Sequence, residues 1–262
     1  MSVLFKSPNH GDRMRNLYWL NKAQMDRLRP YFPKSPGRVS VDDRRVLNEI
    51  IFINRNGLRW CDAPEKYGPP KTLYNRWKRW SDMGVFARIM MGLAEQAPDD
   101  TTISIDATYR KAHPTASRLW LKRGGGCLIG QTRGGMNTKP HAVTEGNGRP
   151  VHFFITAGEV SDYACAAAVT NGQPEAGWLL ADRGYDADWF RKSLIEWGTR
   201  PCIAGRKSPK TTIKYDKRRY KRRNRIERMF GNIKDWRRVA TRYDRSPELV
   251  LSAIALATTV IF

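Results

Sequence analysis

Apolar positions recur with two different periods along this chain, and the change falls near residue 97. Before it the spacing is helical. Trp19 to Phe32 and Val41 to Asn56 predict two helices, with Gly57 placed to stop the second. A third follows from Pro70 to Trp80, with Pro70 in its first turn and Leu73, Trp77 and Trp80 along one stripe. After Gln96–Asp100, read as a linker, the period drops to two. Ile103 to Tyr109 predicts a strand, and Pro140–Thr144 with Pro150–Thr156 predict a hairpin around Glu145-Gly146-Asn147-Gly148. A short helix is expected after Ser161-Asp162, a buried strand at Trp178–Ala181, a helix at Asp186–Trp197 and a strand at Pro201–Ala204. Tyr220 to Val239 reads as one basic helix. Leu249 to Phe262 reads as a buried terminal helix with Ser246 as its cap, too short for a comfortable membrane span. The expected organisation is a helical domain over 1–97 and a mixed α/β domain over 98–262.

Charge changes this picture more than composition does. Among 262 residues, Lys and Arg outnumber Asp and Glu by 47 to 25, a formal net charge of +22. Such an excess points to a polyanion, because each neutralised phosphate releases counterions. The four cysteines (61, 127, 165 and 202) form no C-x-x-C pair, which argues against zinc and against a disulfide framework. No signal peptide is visible at the N-terminus.

Candidate chemistry centres on three carboxylates. Asp106 ends the first strand, Asp182 follows the Trp178–Ala181 strand, and Glu227 stands on the basic helix with Tyr220, Arg223 and Lys234 in the order Y-x2-R-x3-E-x6-K. At helical spacing Arg223, Glu227 and Lys234 share a sector, while Ile226, Met229, Ile233 and Trp236 form an apolar arc beside it. Three such acids offer hard oxygen ligands suited to Mg²⁺. Local explanations compete: Asp182 could pair with Arg183, and Arg223 with Glu227 one turn away. Asp162 and Asp186 are rival carboxylates that read as helix N-caps, and His113, His141 and His152 are given no catalytic part.

Two further basic segments are candidates for DNA. Residues 41–80 resemble a helix-turn-helix whose second helix presents Arg76, Lys78 and Arg79. The glycine-rich stretch from Lys111 to Thr138 reads as a flexible basic arm, in which Arg133 could contact backbone phosphates. Its Gly125–Thr132 part resembles a P-loop but places Gln131 where the phosphate-binding lysine belongs.

These residues carry a family resemblance. The acid trio and Y-x2-R-x3-E-x6-K resemble the DDE transposases of bacterial insertion sequences, specifically the family five group. Gly57 to Trp80, Asp106-Ala107-Thr108, Ile129 to Lys139 and Asp182-Arg183-Gly184-Tyr185-Asp186 are similar to further family segments. The resemblance implies an RNase H-like α/β core, with Asp106, Asp182 and Glu227 as ligands of two Mg²⁺ ions and Mn²⁺ able to substitute. It implies nicking at the element's ends, then attack of the freed 3′-hydroxyl on target DNA. Arg223 and Lys234 would hold phosphates, and Tyr220 would stack or bond nearby. Double-stranded DNA, both terminal inverted repeats and target, is the implied partner of a homodimer or larger synaptic complex. The implied location is cytoplasmic, at the bacterial nucleoid. A nuclease that cuts without joining, and a non-catalytic repressor of the element, are the alternatives.

Overall fold

The computed structural model describes residues 17–34, 42–94, 102–117, 128–162, 164–166, 176–206 and 213–262. Four helices open it: α1 (Lys22–Leu28), α2 (Asp43–Asn56), α3 (Pro70–Asp82) and α4 (Val85–Ala94). Asn21 starts α1 through a reciprocal capping box with Gln24. Gly57 ends α2 in the left-handed region at φ 71°, and a Cβ there would meet the Arg237 side chain at 2.7 Å. The Leu73, Trp77 and Trp80 stripe of α3 is fully buried, each ring or branch against α2, α4 or the C-terminal helix. Truncating either tryptophan is expected to cost roughly 3–5 kcal/mol.

The link from α2 to α3 is longer than the tight turn of a helix-turn-helix. It passes through two 3₁₀ turns, Trp60–Asp62 and Glu65–Tyr67. Buried Tyr67 and half-buried Trp60 fasten this loop to the helices by ring contacts with Phe52 and Trp77.

Among the described residues eight strands form one mixed sheet: β1 (Thr102–Ala107), β2 (Arg110–Ala112), β3 (Gly130–Thr132), β4 (Gly135–Glu145), β5 (Pro150–Ala157), β6 (Trp178–Ala181), β7 (Arg200–Ile203) and β8 (Thr241–Arg242). The main path runs β7-β6-β1-β4-β2-β8, with β3 and β5 also paired to β4. The remaining labelled helices are α5 (Pro114–Ser117), α6 (Asp188–Glu196), α7 (Lys217–Tyr220), α8 (Asn224–Lys234), α9 (Arg237–Ala240) and α10 (Pro247–Ile261). Alternation assigns the faces. Ala142, Phe153 and Ile155 face a core shared by α1–α4, α8 and α10, while Ile103, Ile105, Val143 and Leu179 face a second core under α6. The N-terminal helices and the C-terminal helix therefore bury their apolar faces in one continuous core, across the boundary that the change of period suggests.

Several expectations are corrected. The predicted helix Tyr220–Val239 is broken: 3₁₀ geometry over Lys221–Arg223 precedes α8, and α9 begins afresh at Arg237. The described part of the basic arm is ordered: α5 lies near its start, and at its end Gly130–Thr132 pairs with Gly135–Asn137, with Arg133 exposed in the turn between them. That pairing also excludes a phosphate loop at residues 130–132; Gly125 and the linker Gln96–Asp100 lie outside the described residues. Asp186 is not a cap. It binds Arg191 and the Arg206 amide, and Ala187 stands at the N-cap of α6 without a side-chain bond. Ser246 bonds Glu248 rather than the backbone of α10. Among the described residues Cys61, Cys165 and Cys202 are free, and no helix is long and apolar enough to cross a membrane.

Candidate active site

Parallel pairing sets the first two acids side by side. In the β1–β6 ladder Thr102 pairs with Trp178, Ile103 with Leu179 and Ser104 with Leu180. Continued for two residues, that offset brings Asp106 level with Asp182 at the C-terminal ends of both strands. Helix α8 packs against β1, its buried Ile226, Met229, Phe230 and Ile233 turning Glu227 and Lys234 toward the same end. Asp106, Asp182, Arg223, Glu227 and Lys234 all line one open cavity of about 470 Å³, together with Thr108.

Arg223 organises two of the acids. Its Nη1 donates to Asp106 Oδ2 at 2.8 Å and its Nη2 to Glu227 Oε1 at 2.6 Å. Asp106 also accepts from the Ala107 amide, and Asp182 from the Gly184 amide, both at 2.8 Å. Lys234 Nζ donates to Thr108 Oγ1 at 2.5 Å. Thr108 is a site residue that motif reading quoted without a role. Period-two alternation from Asp106 was the signal available for it.

Burial pushes the Asp106 carboxyl up to about 6, against the pull of the Ala107 amide and Arg223, with Asp182 and Glu227 adding to the rise. Loss of solvent also lowers the Lys234 ammonium and raises the Tyr220 phenol. Tyr220 stands at the margin, its ring 5.6 Å from the Arg223 guanidinium carbon. Among the described residues no three His, Cys, Asp or Glu side chains stand together as a ready-made metal cluster. The reason is visible in the contacts, because a guanidinium sits between two of the acids. The donor set itself, three carboxylates of like charge on an open cavity, fits a divalent cation.

The other candidates lie elsewhere. Arg76 turns inward onto Asp43 of α2 at 2.6 Å, Lys78 pairs with Asp82 on its own helix, and Arg79 is exposed. His113 lies against Tyr243 in a tilted ring contact, and buried His141 bonds Thr156 and stacks on Phe154, so neither reaches the acids. Asp162 is ion-paired with Lys139.

Strand-end acids facing a cavity beside a basic helix suit the cutting of phosphodiesters. Comparison with known proteins gives the family. Residues 97–262 match the family described as "Transposase DDE domain", and residues 20–90 match "Putative transposase of IS4/5 family". The chain belongs to the DDE transposases of insertion sequences, of IS4/5 type, with the RNase H-like fold of that domain. It is 32% identical over 130 residues to a protein of Brucella ovis named "Putative transposase for insertion sequence element IS6501", covering 48% of this chain and 98% of that one. It is 31% identical over 109 residues to "Uncharacterized protein y4sN" of Sinorhizobium fredii, covering 40% and 86%. A Burkholderia cepacia protein named "Putative transposase for insertion sequence element IS402" matches at 27% over 123 residues, covering 43% and 56%. The chain is thus a DNA-cleaving and DNA-transferring enzyme, of a family whose chemistry uses divalent metal ions.

Proposed function

We propose that Asp106, Asp182 and Glu227 are the metal-binding acids of this transposase, and that they serve both cleavage at the ends of its element and transfer of the freed 3′-hydroxyl into target DNA. One observation carries the reading: three acids from distant segments line a single open cavity bordered by Arg223 and Lys234. Two Mg²⁺ ions, or Mn²⁺ in their place, would supply activation of the attacking oxygen and charge compensation at the leaving one.

The chain's own residues do the rest. Asp106 and Asp182 are aimed by strand register and by their amide bonds, so little side-chain freedom remains to be lost on binding. Lys234, held by Thr108, and Arg223, once drawn from the acids, offer cations for phosphates flanking the reacting one. Tyr220 borders that path. The helical region, 1–97, would bind the terminal repeats through exposed groups such as Arg79, with Arg133 at a separate hairpin tip, while 98–262 carries the chemistry. Two ends must be handled together, so a homodimer or larger synaptic complex is expected.

The test is a Mg²⁺-dependent cleavage and joining assay on end DNA. Glu227→Gln should lower both rates by about 10³-fold or more while DNA binding persists. Wild-type cutting by the variant would remove Glu227 from the ligand set. A cutting rate without joining would instead favour a nuclease.

A further inference from the structure

On the sheet face away from Arg223, a second polar layer links the segments that carry Asp106 and Asp182. Lys139 of β4 has a side chain only 5% exposed, with Nζ 2.6 Å from Asp162 Oδ1. The contact is an ion pair, and Nζ donates a hydrogen bond to the Val160 carbonyl at 3.2 Å. The same ammonium lies 5.1 Å over the ring of Tyr109, three residues beyond Asp106. Asp162 extends the layer the other way. A Cβ built on Gly184 would lie 3.0 Å from Asp162 Oδ2 and 2.8 Å from Asp182 Oδ1, so both carboxylates close on one glycine. Two residues along β4, His141 Nδ1 is 3.5 Å from the Tyr185 hydroxyl in the same turn. A buried ammonium left unpaired costs several kcal/mol, and nothing lining the cavity uses this one.

We propose that the Lys139–Asp162 ion pair is a positioning brace, which fastens the loop after Asp106 to the turn after Asp182 and so sets the spacing of the two acids for divalent cations. The proposal rests on the three-acid reading above. The brace touches neither DNA nor metal; it acts through Tyr109 on one side and Gly184 on the other. A Cβ at 184 would displace the Asp182 carboxylate and press on that of Asp162, so the bare glycine lets the two lie close.

Mn²⁺ titration of the full-length protein without DNA, followed by electron paramagnetic resonance, tests it, with thermal melting as the check on folding. Asp162→Asn and Lys139→Met should each raise the half-saturating Mn²⁺ concentration about tenfold, the scale of lost support behind metal ligands. Lys139→Arg should recover part of the loss. Gly184→Ala should act in the same direction from the opposite side. A purely structural pair would lower the melting temperature and leave the titration of the folded protein unmoved. Wild-type titration in folded Asp162→Asn and Lys139→Met overturns the brace alone. If those variants do not fold, wild-type titration in Gly184→Ala overturns it. Asp106→Asn separates the two readings: uptake unchanged there means that the three-acid assignment itself has failed.

Discussion

Both halves of the molecule set a half-buried arginine against an aspartate, and the two pairs differ in what surrounds them. In the helical half Arg76 meets Asp43 at 2.6 Å and joins α3 to α2, its guanidinium also 5.3 Å over the Trp80 ring. At the sheet end Arg223 meets Asp106 at 2.8 Å, similarly buried, but opens onto a cavity shared with two further acids. The first pair closes a packed interface. The second bridges Asp106 and Glu227, two like charges that face the same cavity. Equal chemistry thus closes a packed interface in one place and, on the proposed reading, stands ready for a ligand in the other, and the neighbours decide which.

Buried acids sharpen the contrast. Glu49 of α2 is fully buried with neither carboxylate oxygen hydrogen-bonded, and burial pushes its carboxyl from 4.5 up to about 8, offset in part by Arg45. Between those values the folded protein retains a proton that the unfolded chain has released, so stability should fall as pH rises through the window and level off above it. Glu49→Gln removes that slope and should gain roughly 3 kcal/mol near pH 8.5. Denaturant melts at pH 5 and pH 8.5 measure it, and parallel pH profiles for the two proteins would refute the assignment.

Arg223→Ala comes next in size. Leaving Asp106 and Glu227 without their shared cation should cost about 2 kcal/mol in the absence of metal. Added Mg²⁺ should then raise the melting temperature of the variant more than that of the wild type. Equal Mg²⁺ shifts would mean that Arg223 and the metal do not answer to the same acids. Arg76→Ala should cost about 1 kcal/mol, indifferent to Mg²⁺ and without effect on the salt slope of DNA binding. Smallest is Arg79→Ala, which should leave stability unchanged and reduce that slope by about 1. A slope lost with Arg76 rather than Arg79 would reverse the roles assigned to the two.

Legibility in the sequence followed the range of each interaction. Short-range signals read well. The Leu73, Trp77 and Trp80 stripe, the Gly57 stop, the hairpin about Asn147-Gly148 and the strand at Trp178–Ala181 each stand where their local pattern puts them. Strands β2, β3 and β8 were invisible, because two or three residues paired mainly to β4 or to each other carry no period of their own. The break at Lys221–Arg223 escaped for a similar reason, since α7 and α8 each keep helical residues up to it. Asp162 read as a cap because its partner Lys139 lies 23 positions away in sequence.

Residue types and their spacing supplied the candidate chemistry on their own. Asp106, Asp182 and Glu227, the basic residues set around Glu227, and a net charge of +22 all follow from the order of amino acids. Which acids meet was decided by the tertiary structure. Parallel register between β1 and β6 levels Asp106 with Asp182, and the apolar arc of α8 turns Glu227 toward them. Only the packed chain placed Arg76 inside and Arg223 at a cavity, or drew Lys139 and Asp162 together behind the acids. Periodicity is a property of neighbours along the chain, whereas charge pairing and burial depend on neighbours in space.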